Sequence, residues 1–176
     1  MKFFEQSIEG VYLIEPEPFV DNRGMFRRHF CRKEFEEHGI VGEVAQCNVS
    51  ENRSKHTLRG FHYQLPPHGE GKTLSCLKGS IYDVVIDVLP SSPTYLKWIS
   101  FELSEDNRKS IHIPPGCANA FLTLEDNSII HYYCSNYYMS EAERGIRYND
   151  PLFNFKWPAV PAMISEKDLK HPDFSS

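Results

Sequence analysis

Residues 58–64 read Leu58-Arg59-Gly60-Phe61-His62-Tyr63-Gln64. The run has the length and aromatic content of a β-strand. Side chains alternate along a strand, which predicts Phe61 and Tyr63 on one face and Gly60, His62 and Gln64 on the other. A face carrying a glycine, an imidazole and an amide is a poor hydrophobic wall but a good wall for a polar pocket. Gly60 also permits a close approach to the backbone. His62 then points into a cavity beside Gln64, with Arg59 at the strand's start. From this run alone, a satisfied core histidine is an equal reading.

Similar pieces recur outward from this run at short spacing: 45–50, 73–77, 80–89, 98–103, 110–113, 118–124 and 128–134. Residues 11–14 are a further apolar run, ended by Pro16 and Pro18. Lys78-Gly79 and Asp126-Asn127-Ser128 read as tight hairpin turns. Helix is scarce. Residues 32–38 are one candidate, with Gly39 placed as a C-terminal cap. Residues 165–169 are a second, a single turn capped by Ser165. Many short strands with almost no helix between them predict an all-β chain, an antiparallel sandwich or barrel. A cupin-type jelly roll is one such solution. With no repeat, linker or low-complexity tract, the 176 residues are expected to form a single domain, 1–176.

The net charge of -5 and the lack of a Lys/Arg-rich block argue against a nucleic-acid footprint. Aromatic residues make up 13% of the chain, which suits strands and binding pockets alike. The cysteines at 31, 47, 76, 117 and 134 are scattered and form no CxxC pair. That pattern predicts reduced thiols rather than a disulfide frame or a zinc site. The N-terminus meets Glu5 at once, unlike a signal peptide, and no apolar run reaches the ~18 residues of a membrane span. A cytoplasmic protein without membrane attachment is expected.

Several other residues could do chemistry. Lys72 stands before an apolar strand, where a cation can neutralise a developing oxyanion; a solvated strand-end lysine is the bland reading. Alternation through 82–87 puts Asp83, Val85 and Asp87 on one face and Tyr82, Val84 and Ile86 on the other. Carboxylates among so many apolar neighbours must be paired or hydrogen-bonded if buried. The cluster 131–138 holds four tyrosines beside a histidine; packing is the default for each, a functional phenol the sharper alternative. A cupin metal centre would need imidazoles where this chain has Gln64 and Asn119. Amides are weak ligands for transition metals, so no metal is expected.

Read together, these residues resemble the dTDP-4-dehydrorhamnose 3,5-epimerase family of cupin-type nucleotide-sugar epimerases. The resemblance runs over nearly the whole chain: AspAsnArgGlyMetPhe at 21–26, Gln46 and Asn48, the 58–64 run, ProPro at 66–67, Lys72, TyrAspValValIleAsp at 82–87, SerProThr at 92–94, IleProProGly at 113–116, GluArgGlyIle at 143–146, AsnAspPro at 149–151, TrpPro at 157–158 and SerGluLysAsp at 165–168. The resemblance implies a jelly roll that forms a homodimer, strands of each subunit completing the other's sheet. It implies a nucleoside-diphosphate 4-keto-6-deoxysugar as substrate, no cofactor, and a place in deoxysugar and polysaccharide precursor synthesis.

By the same resemblance His62 is the general base, Asp168 its supporting acid, and Tyr132 the acid on the opposite face. Lys72 counters charge on the C4 oxygen. Arg23, Arg28, Gln46, Asn48, Arg59, Glu143 and Lys167 contact substrate, and Tyr138 stacks on the base. Asn119 stands where the family has histidine, so it can donate to the sugar but cannot carry a proton; Asp83 is a supporting residue, with a purely structural hydrogen-bonding role at least an equal reading. Arg28 stands where the family has a glutamate. The chemistry fits these residue types: a C4 ketone acidifies C3 and C5, histidine removes the proton, and a second group returns one from the other side. Three other readings are a non-catalytic cupin that binds a sugar nucleotide, a 3,4-ketoisomerase, and a metal-dependent cupin oxygenase. The first has no need to keep His62, Asp168 and Tyr132 together. The last is disfavoured by Gln64 and Asn119.

Overall fold

The structure, a computed structural model, describes residues 1–174. Thirteen strands and two short helices follow in chain order. They are β1 (Lys2–Glu5), β2 (Tyr12–Glu15), β3 (Phe19–Asp21), β4 (Gly24–Phe26), α1 (Arg32–Glu36), β5 (Gln46–Asn52), β6 (Leu58–Gln64), β7 (Lys72–Lys78), β8 (Ser80–Asp87), β9 (Trp98–Ser104), β10 (Ser110–Ile113), β11 (Cys117–Thr123), β12 (Ser128–Cys134), β13 (Glu143–Gly145) and α2 (Glu166–Leu169). A six-stranded sheet runs β1-β2-β10-β7-β12-β5, and a five-stranded sheet runs β13-β6-β11-β8-β9. β3 and β4 pair only with each other. All these ladders are antiparallel. The expected jelly roll is therefore present.

The two hairpins read at 78–79 and 126–128 are not hairpins. β7 and β8 lie in different sheets, as do β11 and β12. Both turns carry the chain across the sandwich. Gly79 takes φ +73° and Asn127 φ +56°, as tight turns require. An added Cβ at Gly79 would sit 2.5 Å from Ser128 Oγ, so the two crossings pack on each other. Burial decides the outcome. Leu74 and Cys76 of β7 face Ile81 and Val85 of β8 within one core cluster. Side-by-side pairing would leave that shared apolar face without an opposing layer.

β8 is buried on both faces. Ile81 and Val85 fill the space between the sheets. Val84 and Ile86 join a second core with Phe61, Phe153 and Phe155, beneath the irregular C-terminal segment. A third cluster, Phe35 of α1 with Ile14, Ile40 and Tyr133, involves the other sheet. Strands β1, β3, β4 and β13 escaped the sequence reading because they are short and lack a buried alternating face. Among the described residues no helix is long and apolar enough to cross a membrane.

Candidate active site

A cavity of about 470 Å³ opens between the sheets, within the range of small-molecule pockets. The five-stranded sheet contributes Arg59 and His62 from β6 and Asn119 and Phe121 from β11. The facing sheet contributes Lys72 and Leu74 from β7 and Ile130 and Tyr132 from β12. The segment around α2 closes one side with Met163, Ile164, Lys167 and Asp168. The sandwich thus presents His62 and Tyr132 to one space from opposite walls.

Strand β6 does not alternate simply. Asn119 lies opposite His62 and Ala120 opposite Gly60, with a register shift between them, and Phe121 lies opposite Arg59. A bulge therefore spends Gly60 and Phe61 together. Arg59, not Gly60, shares the pocket wall with His62, which corrects the alternation expected at this strand. The close approach that Gly60 permits is to β11: an added Cβ would meet the Asn119 carbonyl oxygen at 2.5 Å and the Ala120 Cα at 2.8 Å. Gln64 is buried and structural. Its amide donates to the His68 and Tyr137 carbonyls and accepts from the Met139 N–H.

The His62 ring is held by a carboxylate from far along the chain. Its Nε2 lies 2.7 Å from Asp168 Oδ1, and Gly60 N–H donates to Asp168 Oδ2 at 3.3 Å. The helical turn α2 delivers Asp168, whose own N–H is capped by Ser165 Oγ at 3.1 Å. Burial works to raise the Asp168 carboxyl. The hydrogen bonds and charge of His62, with those of Gly60 and Ser165, outweigh it and leave the carboxyl below its ordinary value. An ionised Asp168 accepts Nε2–H, which leaves the lone pair of neutral His62 on Nδ1.

Around Lys72 runs a chain of polar contacts. Lys72 Nζ donates to Asn119 Oδ1 at 3.2 Å and lies 3.6 Å from Glu70. Asn119 Nδ2 donates to Asp83 Oδ1 at 3.0 Å. Asp83 is fully buried, and burial raises its pKa to about 7 against the opposing pull of Asn119 and Lys72. Asp87 is also buried, but it binds Ser92, Thr94 and the Leu89 N–H away from the cavity. Tyr132 lies with its ring 5.9 Å from Lys72 Nζ, and burial raises its phenol, keeping it protonated near neutrality.

The remaining residues singled out by sequence divide into two groups. Tyr138 OH donates to Glu143 Oε2 at 2.8 Å, and Lys167 Nζ pairs with the same oxygen. Gln46 Oε1 accepts from the Tyr138 N–H, and Gln46, Asn48 and Ser50 share the less exposed face of β5. Ser50 and Lys167 line the cavity, and the hydrogen bonds join Gln46, Tyr138 and Glu143 to Lys167 at its edge. Arg23 and Arg28 are not brought to this cavity. Arg23 pairs with Asp21 at the tip of the β3–β4 arm, its side chain 84% exposed, and Arg28 pairs with Glu34. Two neighbours were missed by the sequence reading. Glu70 flanks Lys72, a Glu-x-Lys spacing visible beforehand. His171 lies beside the dyad, three residues after Asp168, where its only sequence signal was that spacing.

The comparisons with known proteins agree along the whole fold. A family model described as dTDP-4-dehydrorhamnose 3,5-epimerase matches residues 5–176. The dTDP-4-dehydrorhamnose 3,5-epimerase of Shigella flexneri is 38% identical over 177 residues, covering 99% of this chain and 96% of its own. The crystal structure of the Bacillus anthracis enzyme of that name, with TDP and PPi bound, superposes with a TM-score of 0.95 at 33% identity, covering 98% of this chain and 99% of its own. The Legionella pneumophila dTDP-6-deoxy-D-glucose 3,5-epimerase, solved with dTDP-4-keto-L-rhamnose, gives a TM-score of 0.89 at 35% identity, covering 97% of this chain and 90% of its own.

Proposed function

The chain belongs to the dTDP-4-dehydrorhamnose 3,5-epimerase family, and we propose that its cavity carries out the epimerisation with His62 as base and Tyr132 as acid. The protein is an isomerase of deoxysugar synthesis, acting on a nucleoside-diphosphate 4-keto-6-deoxysugar. The observation that carries the assignment of roles is the 2.7 Å contact between His62 Nε2 and a buried Asp168 within a cavity that Tyr132 enters from the other sheet.

His62 Nδ1 takes the proton from the carbon next to the C4 ketone, and the electron pair moves onto the C4 oxygen as an enolate. Asp168 holds the imidazole in the tautomer that frees Nδ1 and stabilises the imidazolium that results. Lys72, steadied by Glu70 and Asn119, faces the charge on the enolate oxygen. Tyr132 returns a proton to the opposite face of the carbon, which inverts it. Arg59 at the pocket wall suits a diphosphate oxygen, since guanidinium offers forked donors. Tyr138, Glu143 and Lys167 at the rim suit the nucleoside, with Gln46 and Asn48 beside them. No step calls on a metal or an organic cofactor.

The working unit in this reading is a cytoplasmic homodimer. The β3–β4 arm stands off both sheets with Phe19 67% and Phe26 75% exposed, an apolar surface that a partner would cover. Strand β5 ends its sheet, its outer edge unpaired among the described residues and Val49 exposed. An arm laid along the partner's β5 would cover both and bring Arg23 and Arg28 toward the partner's rim.

The test is incubation with a panel of nucleotide 4-keto-6-deoxysugars in deuterated water, reading deuterium at C3 and C5 by NMR and mass. His62→Ala should abolish exchange at both carbons with the fold intact. Exchange at the wild-type rate in that variant removes His62 from the base role.

A further inference from the structure

His171 is not used by the mechanism above, yet it sits against the dyad. Its side chain is 15% exposed, and its Nε2 is buried with no hydrogen-bond partner among the described residues. That nitrogen lies 3.9 Å from Asp168 Oδ1, too far for a hydrogen bond. The ring is 6.4 Å from the His62 ring at an interplanar angle of 76°. Only a glycine at position 145 leaves room for it: an added Cβ there would lie 2.1 Å from His171 Nε2. One ligand atom from each of His62, Asp168 and His171 lies within 4.8 Å of the other two.

Two imidazoles and a carboxylate are a zinc-type donor set. On a tetrahedron with bonds of about 2.0–2.2 Å, ligand atoms stand about 3.3 Å apart. Two of the three separations, 2.7 Å and 3.9 Å, fall either side of that figure, and the third, between the imidazoles, is within 4.8 Å and has to close for all three to bind. His62 and Asp168 border the cavity, so an ion can approach these two donors from that side. This donor set is distinct from Gln64 and Asn119, the positions of a cupin metal centre.

We propose that His62, Asp168 and His171 form an inhibitory site for a zinc-type divalent cation, which silences the enzyme by occupying His62 Nε2. The proposal rests on the reading of His62 Nδ1 as the base. Zinc takes the lone pair of Nε2, so the single proton of the neutral ring moves, through solvent, from Nε2 to Nδ1. No proton is gained or lost by the ring. The nitrogen that should accept a proton from the sugar now carries one, and the Asp168 carboxylate that fixed the productive tautomer is itself held by the ion.

The experiment titrates the chelator-treated protein with buffered Zn²⁺, following binding by calorimetry and deuterium exchange into substrate in parallel. Co²⁺ serves as a spectroscopic probe of the donors. One ion should bind per chain, exchange should fall in step with occupancy, and chelator should restore it. His171→Ala and His171→Asn, the second keeping a polar side chain over Gly145, should each weaken binding at least tenfold. Unchanged affinity in both variants, no saturable uptake, or continued exchange with the ion bound would each overturn the proposal. So would a thiolate-to-cobalt band lost in Cys47→Ser, because Cys47 Sγ lies 3.1 Å from His131 Nε2 on the outer face and is the competing site. Absence of exchange in the metal-free protein strikes the base reading instead, while the calorimetric titration still reports on the site.

Discussion

Asparagine at position 168 tests the proposed dyad at its most specific point. The Asp168 carboxylate uses both oxygens: Oδ1 toward His62 Nε2 at 2.7 Å and Oδ2 toward Gly60 N–H at 3.3 Å. Asparagine has one oxygen. If that oxygen keeps the Gly60 N–H, the amide NH₂ faces His62 and forces the ring proton onto Nδ1, the nitrogen proposed as base. If it keeps His62, the NH₂ is set against the Gly60 N–H and a buried donor goes unmet. Losing the charge-assisted bond to the imidazolium costs about 1.5–3 kcal/mol, or roughly 10–150-fold in rate. The wrong tautomer adds to this, and the comparable change in a serine-protease triad costs about 10⁴ in kcat. Asp168→Asn is therefore expected to lower deuterium exchange into substrate by about 10²–10⁴ at saturation. Asp168→Ala, which leaves the ring free to choose its tautomer, should lose less. The assay is the initial rate of C–H to C–D exchange, with circular dichroism confirming the fold. An Asn variant within threefold of wild type would refute the dyad, and an Ala variant worse than Asn would refute the tautomer argument.

Three further outcomes follow from the same geometry. In Tyr132→Phe, exchange should survive better than inversion, because proton removal stays with His62 while delivery from the other wall is lost; equal loss of both assigns Tyr132 to shaping alone. Asp83 bears on stability: burial raises its folded pKa to about 7 from the ordinary 3.8, so the native state holds its proton to higher pH than the unfolded chain. Stability should fall as pH rises from about 4 to 7 and then level, at an upper bound of about 4 kcal/mol. Asp83→Asn mimics the protonated acid and should flatten that part of the Tm profile; an unchanged slope would show that Asp83 is ionised throughout. Finally, Phe19→Asp with Phe26→Asp should shift the sedimentation mass from two chains to one if the arm is a dimer contact, and a wild-type mass of one chain would remove that reading.

The chain's own sequence determined where the longer apolar and aromatic strands lie. β6, β10 and β12 fall on the runs of strand-forming residues between turn residues, and Ser165 caps α2. These are local properties, set by residues within a few positions of each other. The motif residues His62, Lys72, Tyr132 and Asp168 were also legible, and the fold gathers them at one cavity. Tertiary structure alone decided which strands pair, because burial of apolar faces between distant segments overrides turn chemistry at Lys78-Gly79 and at 126–128. It alone put Arg59 rather than Gly60 on the pocket wall, through a bulge that depends on how close β11 comes. It left Arg23 and Arg28 outside the cavity, and it brought His171 beside the dyad. The raised pKa of Asp83 likewise comes from desolvation by strands remote in sequence. A linear pattern records what each residue is and who stands next to it; which distant groups shield or charge it is fixed only when the sheets close on each other.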